Sequence, residues 1–201
     1  MKKIVLGISA VLVLGLFSCE PETISPFNNN GGGYNYPSQA GTMDTDFSND
    51  WDDWTIRVGD TTGWVDTQFS EDWDNWSYSF GGQTGNIRTD FSEDWDDWYM
   101  TTSTGNIDIS TEFSNDFDRW RVYDPASGRT FVVRTDFSND WDDWTVYENG
   151  SAIISFGTTF SNDFDDWDAS GDFSTLNAQQ RVAVMFVPIF AGSIYSQGIH
   201  E

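Results

Sequence analysis

Cationic side chains are scarce in this 201-residue sequence: nine Lys and Arg stand against 33 Asp and Glu, a formal net charge of −24. The only lysines are Lys2 and Lys3, so past the first residues seven arginines face all 33 acids. Such a chain repels phosphate backbones and anionic lipid, which excludes nucleic acid as a partner and favours solubility and attraction of cations. Cysteine is nearly absent. With Cys19 alone, a disulfide within the chain and a metal-thiolate site are both ruled out. The single histidine, His200, sits beside the C-terminus and reads as a solvated tail residue rather than a base or ligand. No nucleotide loop, metalloprotease motif or nucleophile elbow occurs. Aromatics, by contrast, make up 17% of the chain and include 11 Trp. High charge with few aromatics would suggest disorder, but rings this abundant and this regularly placed predict a folded core.

The regularity is a repeat. Ten residues, Thr45-Asp-Phe-Ser-Asn-Asp-Trp-Asp-Asp-Trp54, recur at 67–76, 89–98, 111–120 and 135–144, with a nine-residue version at 159–167. The starts lie 22, 22, 22, 24 and 24 residues apart. A period of this size signals an array in which each unit leans on its neighbours.

Between copies the pattern has period two, the mark of a half-buried strand. Before each motif, sets such as Val65/Thr67/Phe69, Ile107/Ile109/Thr111/Phe113 and Phe131/Val133/Thr135/Phe137 share one face; after it, sets such as Trp54/Ile56/Val58 and Trp76/Tyr78/Phe80 do so. The strands are joined by turn chemistry: Gly59-Asp-Thr-Thr-Gly63, Gly81-Gly-Gln-Thr-Gly85, Thr104-Gly-Asn106, Asp124-Pro-Ala-Ser-Gly128 and Glu148-Asn-Gly-Ser151. The expected fold is therefore all-β, an antiparallel meander of hairpin repeats with ten to twelve short strands. Its apolar face has to be hidden in a soluble barrel or sandwich, or in a β-solenoid as the alternative. An outer-membrane barrel is disfavoured, because spanning strands are longer and apolar outside. After Trp167 the pattern predicts a capping element. It is either a helix over 176–187, capped by Ser174 or Thr175 and ended by Pro188, or a closing strand at 182–187 paired with 194–199.

In a meander all the motifs share one rim, spaced about 9–10 Å apart. Phe47, Trp51 and Trp54 fall at i, i+4, i+7, which predicts a single helical turn with its rings toward the sheet, Ser48 as N-cap and its carboxylates outward. Inside the six copies lie 22 of the 33 acids and ten of the 11 Trp. One reading makes the rings core plugs, the Ser and Asp turn caps, and the surplus charge a solubilising coat. The other makes the rim a site for a hard cation such as Ca²⁺, which takes six to eight oxygens. Its ligands would come from Asp50, Asp52 and Asp53; Asp72 and Asp74; Asp94, Asp96 and Asp97; Asp116 and Asp118; Asp140, Asp142 and Asp143; and Asp163, Asp165 and Asp166. The motif lacks the glycine of Asp-rich calcium loops, and Arg119 and Asn75 replace the ninth-place acid in two copies. Outward Tyr99, Tyr123 and Tyr147, at similar places in successive units, are candidates for stacking on a glycan, or for pairing across strands on a solvated face. Six equivalent carboxylate sets supply no unique pair with separated pKa values, so an enzyme is not expected.

The N-terminus supplies an address. Met1-Lys-Lys and the apolar run from Ile4 to Phe17 have the form of a secretory signal, and Leu16-Phe17-Ser18-Cys19 resembles the lipobox of bacterial lipoproteins. That resemblance implies cleavage before Cys19, lipid carried on that cysteine, and a membrane as partner. Glu20 and Glu22 are similar to the acidic stretch that directs some envelope lipoproteins to the cell surface. The expected organisation is a signal peptide at 1–18, a lipidated cysteine and flexible Pro/Asn/Gly tether at 19–42, a repeat domain at 43–171 and a cap belonging to the same domain at 172–201. The function expected is that of a non-enzymatic, lipid-anchored protein of the cell envelope. It would have a structural or adhesive role through its acidic-aromatic rim, or bind carbohydrate as the alternative.

Overall fold

The computed structural model describes residues 39–70, 72–138 and 140–198. The lipobox, the tether up to residue 38 and His200 lie outside them. Twelve strands follow one another: β1 (Gln39–Thr45), β2 (Asp53–Val58), β3 (Thr61–Thr67), β4 (Asn75–Phe80), β5 (Gln83–Thr89) and β6 (Asp97–Thr102), then β7 (Gly105–Thr111), β8 (Arg119–Asp124), β9 (Arg129–Thr135), β10 (Asp143–Glu148), β11 (Ser151–Thr158) and β12 (Asp166–Gly171). Each pairs antiparallel with its predecessor, and β1 pairs with β12 from Gln39↔Gly171 to Asp44↔Asp166, so the sheet closes into a barrel. Closure settles the choice among barrel, sandwich and solenoid, and it leaves no strand edge to protect.

The period-two apolar sets are buried in every strand, with Ser110 in β7 and Thr145 in β10 buried beside them. Trp54, Trp76, Trp98, Trp120, Trp144 and Trp167 are all at most 2% exposed, and Ile56, Val65, Tyr78, Ile87, Met100, Ile109, Val122, Val133, Val146 and Ile154 are fully buried with them. Strand glycines make room for the larger rings. A Cβ on Gly63 would lie 2.1 Å from the Ser79 carbonyl oxygen and within 3 Å of Phe80; one on Gly85 would lie 2.7 Å from the Tyr78 ring. Both glycines are thus strand residues rather than the ends of longer turns, and the β2–β3 and β4–β5 connections shrink to Gly59-Asp60 and Gly81-Gly82, where positive φ is needed.

The last segment is a helix, α1 (Ala178–Ser196), preceded by a short 3₁₀ turn at Phe173–Thr175. It does not cap an end of the barrel; it runs through the middle. Every residue from Val182 to Ile194 is buried, on all sides of the helix. Gln179 donates to Gln83 and Ser103 at the hairpin rim, while Tyr195 stacks on Trp141 at 5.2 Å at the motif rim. Between those ends Phe186 meets Trp76 and Trp98, and Phe190 meets Trp98 and Trp120, at ring separations of 4.7–6.0 Å. The sizes match. Twelve strands about 4.8 Å apart give a radius of about 9 Å untilted and about 11–13 Å at usual tilts, enough for one helix with its side chains.

Two expectations for this segment are corrected. The N-cap is Asn177, whose side chain accepts from the Gln180 amide in a capping box, and Ser174 and Thr175 lie in the 3₁₀ turn instead. Pro188 does not end the helix, which continues past it to Ser196. A proline inside a helix costs about 3 kcal/mol, but here the residues on either side of it are enclosed by the barrel wall, and their burial outweighs the lost hydrogen bond.

Candidate functional site

Each repeat motif is the loop that joins an odd-numbered strand to the next even one, between paired residues such as Thr45↔Trp54 and Thr67↔Trp76. The sixth copy is complete, at 158–167. Thr158 donates to Asp142 as other first-place threonines donate to their preceding motifs, and Thr159 stands in the second, usually acidic, place, donating to Asp166 as Asp46 does to Asp53.

The loop is not a helical turn. The amide at the sixth place donates to the third-place carbonyl in all six copies, for instance Asp50 to Phe47 at 2.9 Å and Asp163 to Phe160 at 2.9 Å. The fifth residue has positive φ, from 58° to 63° at Asn49, Glu93, Asn115 and Asn162. That is a β-turn of type II geometry, for which asparagine is suited and which no α-helical turn can contain. A second turn follows, and the tenth-place indole N–H donates back to the seventh-place carbonyl, as in Trp54 to Trp51 and Trp167 to Phe164. The same bond recurs in the other four copies. It satisfies the one polar group of a buried Trp within its own loop.

The consequence is a correction at the third place. Phe47, Phe69, Phe91, Phe113, Phe137 and Phe160 do not plug the core; they are 66–73% exposed and form a ring around the motif rim. The left-handed residue two places later reverses the chain before the i, i+4, i+7 register can form, so Trp51 and Trp54 point inward while Phe47 is left outside. The turn signal that reveals this is the Ser-Asn pair, since Asn at the third position of a turn marks positive φ.

The expected Ser N-cap is replaced by a lateral clasp. Ser48 donates to Asp165 at 2.8 Å, Ser70 to Asp52 at 2.6 Å, Ser92 to Asp74 at 2.8 Å, Ser114 to Asp96 at 2.6 Å, Ser138 to Asp118 at 3.0 Å and Ser161 to Asp142 at 2.8 Å. Each eighth-place carboxylate thus holds the next motif around the ring, and the Asp165–Ser48 bond closes it. Backbone amides of Asn49, Glu93, Asn115 and Asn162 add to the same carboxylates. These are charge-assisted bonds.

The remaining acids are distributed rather than gathered. At the sixth place, Asp72 accepts from Asn75, and Asp94 and Asp116 accept from the amides of Asp96 and Asp118. Asp50, Asp140 and Asp163 occupy the same place in their turns. Ninth-place Asp53, Asp97, Asp143 and Asp166 begin even-numbered strands. Burial, followed by repulsion from acids of the same loop, raises the carboxyls of Asp53, Asp97 and Asp143 above the usual range. Asp66 on β3, beside Asp53 and Asp46, is pushed up to about 6, chiefly by burial. Among the described residues, no three His, Cys, Asp or Glu converge to hold a metal ion. The eighth-place groups, which a rim-bound Ca²⁺ would need, point sideways to their serines.

Tyr99, Tyr123 and Tyr147 lie half-buried on the outer wall but not at equivalent places, Tyr99 next to the motif pair Thr89↔Trp98 and Tyr123 and Tyr147 toward the hairpin rim. Asp108 pairs in register with both Tyr99 and Tyr123. The Arg134 guanidinium lies over the Tyr147 ring at 4.5 Å, in the place a stacked sugar would take, beside a shallow depression of about 400 Å³ lined by Arg119, Val132 and Asn149. Comparison with protein-family models, curated proteins and solved structures finds no match to this chain.

Proposed function

We propose that the chain is a non-enzymatic, lipid-anchored protein of the cell envelope, a surface-exposed outer-membrane lipoprotein, whose motif rim is a structural or adhesive binding surface. The observation that carries this reading is the phenylalanine ring. The loop's turns, its indole bond and its clasp to the next loop are complete without the third-place side chain, yet the sequence places Phe there six times out of six. Six exposed rings on one rim are an apolar patch of the kind that marks contact with a partner. The filled lumen adds support, since α1 occupies the space in which a barrel of this size would otherwise carry a small ligand. Anchoring at Cys19 rests on the lipobox resemblance alone.

The rim is tested in intact cells making the full chain. A photo-crosslinking phenylalanine analogue at Phe113 is expected to give a discrete adduct, and the same analogue at exposed Thr62 on the outer wall is expected to give none. Adducts from Thr62 with none from Phe113 would remove the reading. Cys19→Ala is expected to shift the protein from membrane to soluble fractions, and its persistence on membranes would defeat the anchor.

A further inference from the structure

Resting on the reading of the rim as a binding surface, the geometry points to its occupant: we propose that the phenylalanine ring docks a basic polypeptide segment that carries apolar side chains between its cationic ones. Three observations converge on that chemistry. Each exposed Phe is set among carboxylates, such as Asp46 and Asp50 around Phe47 and Asp90 and Asp94 around Phe91. The six loops together hold 22 acids and one cation, Arg119. An apolar surface framed by such charge is complemented by a partner that is greasy and positive together, and it repels acidic proteins, anionic lipid and a second copy of the same rim.

The second observation is direction. β1 starts at Gln39, where the hairpin rim lies, since Gln39 pairs with Gly171 and the Gly59 amide donates to Ala40. β1 therefore begins at the end of the barrel opposite the phenylalanines, which are 66–73% exposed at their own rim. The third is size. Six Phe side chains about 70% exposed offer on the order of 600–1,000 Å² of apolar surface, comparable with the roughly 800 Å² that one partner contributes to a stable protein interface. Neighbouring rings, two strands apart on a tilted wall, sit about 10–13 Å from each other. Residues seven apart on a helix, about 10.5 Å, span that gap.

The probe is a short synthetic amphipathic Lys/Leu peptide, titrated into the purified full chain. The controls are a Glu/Leu peptide of the same pattern, an oligolysine without apolar residues, and phosphatidylcholine vesicles with and without phosphatidylglycerol. Lys/Leu is expected to bind and to weaken at least tenfold between about 50 and 500 mM salt. It is also expected to weaken at least tenfold when the six phenylalanines are replaced by serine, while the melting temperature is held. If the sixfold variant fails to fold, the threefold set Phe47→Ser, Phe91→Ser and Phe137→Ser carries the same test with a smaller loss. Equal binding of Lys/Leu to wild type and variant, or binding of oligolysine as tight as Lys/Leu, overturns the proposal. Phe-dependent binding of Glu/Leu or of vesicles, tighter than Lys/Leu, also overturns it but leaves the rim a binding surface. Absence of any Phe-dependent binding, together with no adduct from Phe113 in cells, removes the rim reading as well.

Discussion

Glu93 holds a backbone position that four of the six motifs give to asparagine. Its φ of 63° lies in the left-handed region, and its side chain cannot make the bond that Asn49, Asn115 and Asn162 make to their own serine hydroxyls at 3.1–3.2 Å. Glu93→Asn is therefore expected to stabilise the barrel by about 1 kcal/mol, read as a rise in the denaturant midpoint at unchanged slope. Asp66 yields a pH prediction. Its folded pKa is raised, so the stability associated with its protonated form is full below the unfolded value near 4 and is lost as pH rises through about 6. Between pH 4.5 and 7.5 the wild type should lose stability that Asp66→Asn retains. The amide can still accept from the Trp54 N–H, and the difference should be on the order of 1 kcal/mol after allowance for partial solvation. A pH-independent gap between the two proteins would refute the assignment.

At the level of elements, the helix is the part of the core that the strands cannot supply for themselves. Phe190 touches Trp95, Trp98 and Trp120, and Phe186 touches Trp76 and Trp98, so two helical side chains bind rings from three successive loops of the six. Phe190→Ala is expected to cost about 3–5 kcal/mol and to lower the thermal midpoint, whereas Tyr195→Ser, half out at the rim, should cost clearly less. A small effect of Phe190→Ala would place the helix elsewhere. The sequence makes the strands legible because each is short, alternates strictly and is bounded by Gly or Asn turns. The helix is less legible: its apolar residues run without a polar face, since barrel wall surrounds it, and Pro188 marks an end that burial overrides.

For the whole molecule, a repeat with two strands per period becomes a closed ring of six clasped loops around a helical pillar. Period, strand count and the inward Trp are plain in the sequence, since each follows from local spacing. Closure and the contents of the lumen depend on contacts between residues more than a hundred positions apart, such as Ser48 with Asp165, which no local pattern carries. The site was half legible. Local spacing locates the acidic-aromatic rim, but strand alternation and the i, i+4, i+7 register both turn its phenylalanines inward, because neither carries the reversal that Asn or Glu makes at the fifth place.

The central claim is that each loop turns its third residue to solvent and its tenth to the core, and hydroxyl-radical footprinting of the full chain tests it in one measurement. Phe47, Phe69, Phe91, Phe113, Phe137 and Phe160 are expected to be modified quickly. Trp54, Trp76, Trp98, Trp120, Trp144 and Trp167, intrinsically the more reactive rings, are expected to stay protected until the protein unfolds. Protection of the phenylalanines to the level of those tryptophans in the monomeric protein would contradict the account.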